Sequence, residues 1–525
     1  MICVLQFDAA SVAVLERMLA AGRLETLAGL RAAGRSVDLE TPAVDFAAGA
    51  FHTLYSGVEL GDHGLFYPFQ FDAAVQRARY ATAFEAPLAV WELLAREGRR
   101  SLVLDPYESR PPREWEGALA CGVGFRDRVV LPRWSLPRSA GRVAGRGPQA
   151  TEIFGRPSVG ELLRLRGKLL SAPSRLADAA LRFLARERFD LAWITFPAAH
   201  LAGHQYWDLS QLAAEPEGDA RRLLTGALED IYDAVDAAMG RIVAALPEGS
   251  DVIVTSAVGM EVNTSRADLL PGMLAAVLAG GPLPEGEGGA IWRLRAAVPP
   301  RARRAVANAL PDPVALELTS RLELRGIDFE TTPAFAHPAD NQGYIRFNRT
   351  GRERDGIVGD AEADALAERI EAGLRSFADP DGQAAVESVV RPADLYPGAR
   401  TDRLPDLVVR WSERPATLLD HVSSDRFGRV SRAGAGSGRS GNHTPGDAWA
   451  VLSSAATSTS GAHPDPSAST HPSGSGHPSA DAQPGAAADR SPQRAPRLAD
   501  VTATIAARLE LDATADLPGH PLPSG

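Results

Sequence analysis

Three histidines are the residues best suited to do chemistry. His200-Leu-Ala-Gly-His204 follows an apolar run that ends at Phe196. If the chain turns into helix there, the i, i+4 spacing sets both imidazoles on one face, as a metal ion requires. His443 sits in Gly441-Asn-His-Thr-Pro-Gly446, a glycine-flanked turn just ahead of another apolar run. A solvent-exposed turn histidine is the bland alternative for it. Asp8 closes the first apolar run, Ile2 to Phe7, as a carboxylate at a strand end. Three more histidines, His463, His471 and His477, fall in a stretch from Ser453 to about Pro496 made mostly of Ser, Ala, Pro, Gly and Thr. Such a composition buries too little apolar surface to order itself. Residues 453–496 are therefore expected to form a disordered low-complexity loop rather than a metal site.

These residues need elements to hold them. Beyond Asp8, Val12, Leu15, Leu19, Leu24, Leu27 and Leu30 carry the spacing of amphipathic helix, interrupted near Gly22. Strand-like runs recur at 99–105, 189–196, 251–256, 405–411 and 448–452, with helical patterning at 228–246 and 498–511. The alternation predicts an α/β fold with a mostly parallel central sheet and helices on both faces, presenting ligands at its strand ends. Residues 107–188 and 262–335 break the rhythm and are expected to be cap-like insertions at one edge of a single domain, 1–525.

Composition narrows the function classes. The chain has 525 residues, 45% hydrophobic, enough for a large core. Its 55 basic and 66 acidic residues give a formal net charge of −11, with no block of like charge, so neither nucleic acid nor an anionic membrane is an expected partner. Cys3 and Cys121 are the only cysteines, which excludes a disulfide scaffold and a Cys-rich zinc module. No apolar run approaches the roughly 20 residues of a membrane span. The first residues enter a strand with no basic leader, so a soluble cytoplasmic protein with a small-molecule substrate is the expectation.

Several further segments together resemble the type I phosphodiesterase/nucleotide pyrophosphatase family of the alkaline phosphatase superfamily, in that family's order. They are Leu5-Gln-Phe-Asp8, Thr53-Leu-Tyr-Ser-Gly57 with Asp62-His-Gly64, and Phe196 to Trp207. After these come Ser256-Ala-Val-Gly-Met260, Gly343-Tyr-Ile-Arg-Phe-Asn348 with Gly351-Arg-Glu353, Pro405-Asp-Leu-Val-Val409 and Asn442-His443. The resemblance implies an alkaline-phosphatase-like fold and a site built around two zinc ions and a Thr or Ser nucleophile.

The departures from that pattern are concentrated. The nucleophile position is Ala47, and residues 42–52 contain no hydroxyl. One zinc site would join Asp8 to an Asp and a His, whose positions hold Ala257 and Val258, neither able to ligate. The other site falls on His200, His204 and His443, all competent ligands, with Asp8 as a possible fourth. The expectation is a single zinc ion, non-haem iron being the less suited alternative because its usual set includes a carboxylate. Asp8, Asp45 and His52 are the candidates to assist catalysis, Asp8 as general base or by orienting a ligand histidine. A helix cap for Asp45 and core packing for His52 are their structural alternatives. The resulting hypotheses are a one-zinc hydrolase acting on a phosphate or sulfate ester, a non-catalytic ligand-binding relative, and a repurposed transferase or lyase.

Overall fold

The computed structural model of the chain describes residues 1–107, 118–121, 135–136, 140–144, 150–283, 310–339, 341–434, 436–443, 446–455 and 494–523. Strand β1 (Ile2–Gln6), wholly buried, leads through Asp8 into helix α1 (Val12–Ala20). A second helix, Glu25–Ala33, follows Gly22, whose φ of +72° makes the interruption expected there. Then come β2 (Arg35–Leu39), α2 (Ala43–Ser56), β3 (Ser101–Leu104), β4 (Ala118–Cys121) and β5 (Ser135–Leu136). The long helix α3 (Val159–Leu184) precedes β6 (Leu191–Thr195), α4 (Pro197–Tyr206), α5 (Ala227–Val243) and β7 (Asp251–Ser256).

A second group of elements follows: α6 (Leu270–Ala279), β8 (Ala334–His337), β9 (Gly343–Phe347), α7 (Asp360–Leu374), β10 (Val386–Val390) and β11 (Leu407–Trp411). The chain then returns to the first sheet with β12 (Ala448–Ser454) and closes with α8 (Ala499–Arg508). The main sheet has the order β2-β12-β7-β1-β6-β3-β4-β5. Its five inner strands, β7 to β4, pair in parallel, while β12 and β5 join antiparallel. The carboxyl ends of β1, β6 and β7 therefore open on one edge, with β1 between the other two.

Two expectations are corrected by the packing. The helical part of 107–188 is no edge insertion: Leu162, Leu165, Leu169, Leu176 and Phe183 of α3 are buried in the core of the main sheet. The run 405–411 does form a strand, β11, but in a separate antiparallel sheet ordered β8-β9-β11-β10. A short apolar run has the same pattern in either sheet, so its pairing was open. Helix α6, from the 262–335 segment, covers that second sheet together with α7, around Ile345, Ile370, Phe377 and Val409. Residues 456–493, most of the expected low-complexity loop with its three histidines, lie outside the described residues. Among the described residues no helix is long and apolar enough to cross a membrane.

Candidate metal centre

Helix α4 starts at the carboxyl end of β6, with Pro197 in its first turn, where a missing N–H leaves no bond unmade. All ten of its residues are buried, and His200 and His204 stand one turn apart on it. The third histidine arrives on a short strand, Gly441–Asn442, paired antiparallel with Glu261–Val262. That strand lies directly on α4. A Cβ at position 441 would stand 2.3 Å from the Gly203 carbonyl oxygen, so only glycine allows the approach. The Ser440 N–H donates to the His204 carbonyl at 2.8 Å and fixes the register.

The ring nitrogens converge. His200 Nε2 lies 3.0 Å from His204 Nε2 and 3.0 Å from His443 Nε2. All three donor atoms fall within 4.8 Å of one another, and all three residues are buried. The opposite nitrogens have partners, which settle the tautomers of His204 and His443. His204 Nδ1 donates to the Gly441 carbonyl at 2.9 Å and His443 Nδ1 to the Gly259 carbonyl at 2.9 Å. A carbonyl oxygen only accepts, so the hydrogen of each ring is on Nδ1 and its Nε2 carries a bare lone pair. His200 Nδ1 faces Asp8 Oδ2 at 2.9 Å, and with Asp8 ionised its Nε2 is bare as well.

Three lone pairs pointing at one another repel unless a cation lies among them. Tetrahedral zinc with Zn–N bonds of 2.0–2.1 Å sets neighbouring nitrogens roughly 3.3 Å apart, close to the spacing here. The donor set fits the ion. Each ligand also has the outer partner, carboxylate or backbone carbonyl, that metal-bound histidines use.

The electrostatics favour the ligating state of His204 and His443. Burial, then Arg439 and the two neighbouring histidines, hold His204 well below the usual imidazole value, against the raising effect of the Gly441 carbonyl. Burial, then His200, push His443 down to about 3. Neutral imidazole is the form that binds metal. Burial also pushes the Asp8 carboxyl up to about 7, opposed by a hydrogen bond from Gln6 and by His443.

Asp8 thus stands behind His200, on its Nδ1 side, and is not among the grouped donor atoms. Asp45 is engaged elsewhere. It lies just before a break in α2, where Phe46 leaves helical geometry (φ −136°, ψ 72°). Both its oxygens accept from Arg410 at 2.7 Å, and Oδ2 also accepts from the Tyr396 hydroxyl at 2.7 Å. It ties α2 to β11 and does not cap the helix. The His52 ring lies 5.9 Å from that of His63. His63 Nδ1 accepts from the Leu65 N–H, so its Nε2 carries the hydrogen and donates to Thr53 Oγ1 at 3.0 Å. Thr53 therefore has no base in His63.

Two residues near the centre escaped the sequence analysis. Tyr107, two positions past the Asp105 strand end, lays its ring 4.4 Å from that of His200. Gln6, two before Asp8, donates to Asp8 Oδ1 at 3.1 Å. Strand alternation was the available signal for Gln6.

A profile of the family described as type I phosphodiesterase/nucleotide pyrophosphatase matches residues 2–431. Phosphonoacetate hydrolase from Sinorhizobium meliloti 1021, in complex with phosphonoformate, is similar in structure at 13% identity and a TM-score of 0.45, covering 86% of this chain and 89% of that one. Murine ectonucleotide pyrophosphatase/phosphodiesterase 5, in complex with AMP, is similar at 10% identity and a TM-score of 0.41, covering 86% of each chain. No curated protein matches the sequence. With the profile spanning most of its length, the chain belongs to the type I phosphodiesterase/nucleotide pyrophosphatase family.

Proposed function

We propose that this protein is a divergent hydrolase of its family that uses one zinc ion, held by His200, His204 and His443, without a Thr or Ser nucleophile. The convergence of the three Nε2 atoms, each ring held through a hydrogen bond at Nδ1, carries the proposal. When bound by three neutral imidazoles with a position left open, zinc supplies Lewis acidity toward water and toward a substrate oxygen.

The chain's own residues do the rest. Asp8 orients His200 and keeps its hydrogen on Nδ1. The Gly259 and Gly441 carbonyls do the same for His443 and His204. A covalent phosphoryl-enzyme is disfavoured by Ala47 at the nucleophile position and by the donor state of His63 beside Thr53. Loss of side-chain donors at Ala257 and Val258 argues against a second ion. The substrate is then a small molecule attacked directly by water, with a phosphate or sulfate ester as the expected class.

The depth of the site favours one second reading. His200, His204 and His443 are 1%, 2% and 6% exposed, which also suits a structural ion in a non-catalytic relative, clamping the Gly441–Asn442 strand onto α4. Two measurements separate these. Elemental analysis is expected to find one zinc per chain in the wild type and none in His204→Ala. Turnover of a panel of phosphate and sulfate esters, abolished by chelation, supports the hydrolase; zinc without turnover leaves the structural reading. Absence of any tightly bound metal contradicts both.

A further inference from the structure

Gln6 is fully buried, yet it is polar and sits at the end of the central strand. Side chains two apart on an extended strand share a face, which sets Gln6 beside Asp8. Across the ladder Gln6 faces Thr195 of β6, and Val4 faces Trp193. Three donors converge on Gln6 Oε1: the Trp193 indole N–H at 3.0 Å, the Thr195 hydroxyl at 3.1 Å and the Tyr55 hydroxyl at 3.2 Å. An indole N–H only donates, so the atom it meets must be the amide oxygen, and the orientation of the amide follows. Its NH2 end is turned to Asp8 and donates to Oδ1 at 3.1 Å. Asp8 is left with Oδ2 for His200 Nδ1.

The hydrogen between Asp8 and His200 has two possible positions. On Nδ1, it leaves His200 Nε2 as a lone pair for the cluster. On Oδ2, it forces the ring hydrogen onto Nε2, which then cannot ligate. The geometry matches the first arrangement: the Gln6 NH2 occupies Oδ1, and Oδ2 is the oxygen left to accept from His200 Nδ1. We propose that Gln6 is a positioning residue of the metal centre: held by Trp193, Thr195 and Tyr55, its amide keeps Asp8 as the acceptor that turns a bare His200 Nε2 toward His204 and His443. This rests on the three histidines being a metal centre, as proposed above.

The test uses Gln6→Met, similar in length but without either hydrogen-bonding end. Two quantities are read: zinc affinity by chelator competition, and the ring 15N signals of His200 in metal-free, 15N-histidine-labelled protein. Outer partners of metal ligands are typically worth about 10- to 100-fold in affinity, and a loss of that size is expected. The His200 signals are expected to move from the Nδ1–H form toward the Nε2–H form. Leu27→Ala opens the same core away from this chain of bonds and is expected to keep wild-type affinity.

Wild-type affinity with unchanged His200 signals in Gln6→Met overturns the proposal, as does an equal loss in Leu27→Ala. Should Gln6→Met fail to fold, the metal-free wild type still decides: a His200 found there with its hydrogen on Nε2 overturns the proposal. If the wild type binds no zinc, the metal-centre reading fails instead, while the His200 signals continue to judge Gln6.

Discussion

Strand β1 has two flanks that share a sheet edge but differ in chemistry. On the β6 side, Asp8 meets His200, and every ring nitrogen that faces away from the cluster has an oxygen partner at 2.9 Å. On the β7 side, the chain passes Ser256 into Ala257 and Val258, both fully buried. There the Ser256 hydroxyl donates to the Val258 carbonyl at 2.9 Å, a local bond that closes the turn. The β7 flank is not inert, however, because its Gly259 carbonyl orients His443. A segment with no side-chain ligands can be packed as core and still serve the neighbouring site through its backbone. That division is why one ion is expected rather than two or none.

Variants on either flank sharpen the contrast, and the largest effect is expected from His204→Ala. It removes one of three ligands and should abolish stoichiometric zinc. Binding stabilises the native state by about 4 kcal/mol at a free ligand concentration roughly a thousandfold above Kd. A melting temperature that rises with added zinc in the wild type but not in the variant checks this. Asp8→Asn comes next. It keeps an acceptor for His200 but loses the charge, so zinc affinity should fall about 10- to 100-fold, measured by chelator competition.

Val258→Ala on the other flank should do the reverse. Two methyls leave a tight core, costing about 1–2 kcal/mol in denaturant unfolding, while zinc stays at one per chain. Zinc loss in this variant would break the contrast between the flanks.

The smallest effect concerns acid stability far from β1. His337 in the second sheet accepts the Phe71 N–H at Nε2 and donates from Nδ1 to the Pro338 carbonyl, so it is held neutral. Burial pushes its pKa down from 6.5 to about 3. A lowered folded-state value means the unfolded chain takes the proton first. The stability tied to neutral His337 is therefore present above about pH 6.5 and is lost as the pH falls toward 3. His337→Gln, which has an acceptor and a donor but nothing to protonate, should flatten that limb of the stability–pH curve.

Much of this arrangement was legible in the residues, and the illegible parts have physical reasons. Apolar runs gave β1, β6 and β7; a helix after Phe196 was only a condition for the i, i+4 pair, and α4 meets it. His443 stood out by its glycine-flanked turn ahead of an apolar run, and its place in the order of family segments joined it to the other two. The backbone carbonyls of Gly259 and Gly441 have no side-chain signature, so the devices that set the tautomers were invisible. Asp8 was placed at the right strand end, but which side of the His200 ring it would occupy depends on how α4 leaves the sheet. Asp45 gave no hint of Arg410, which is 365 positions away and reached only because β11 packs beside α2.

X-ray absorption at the zinc edge of the purified, metal-loaded protein tests the centre most directly. One ion per chain with three imidazole nitrogens at about 2.0–2.1 Å is the expected result. A second zinc, a zinc with fewer than three imidazoles, or a protein that takes up no zinc would contradict it.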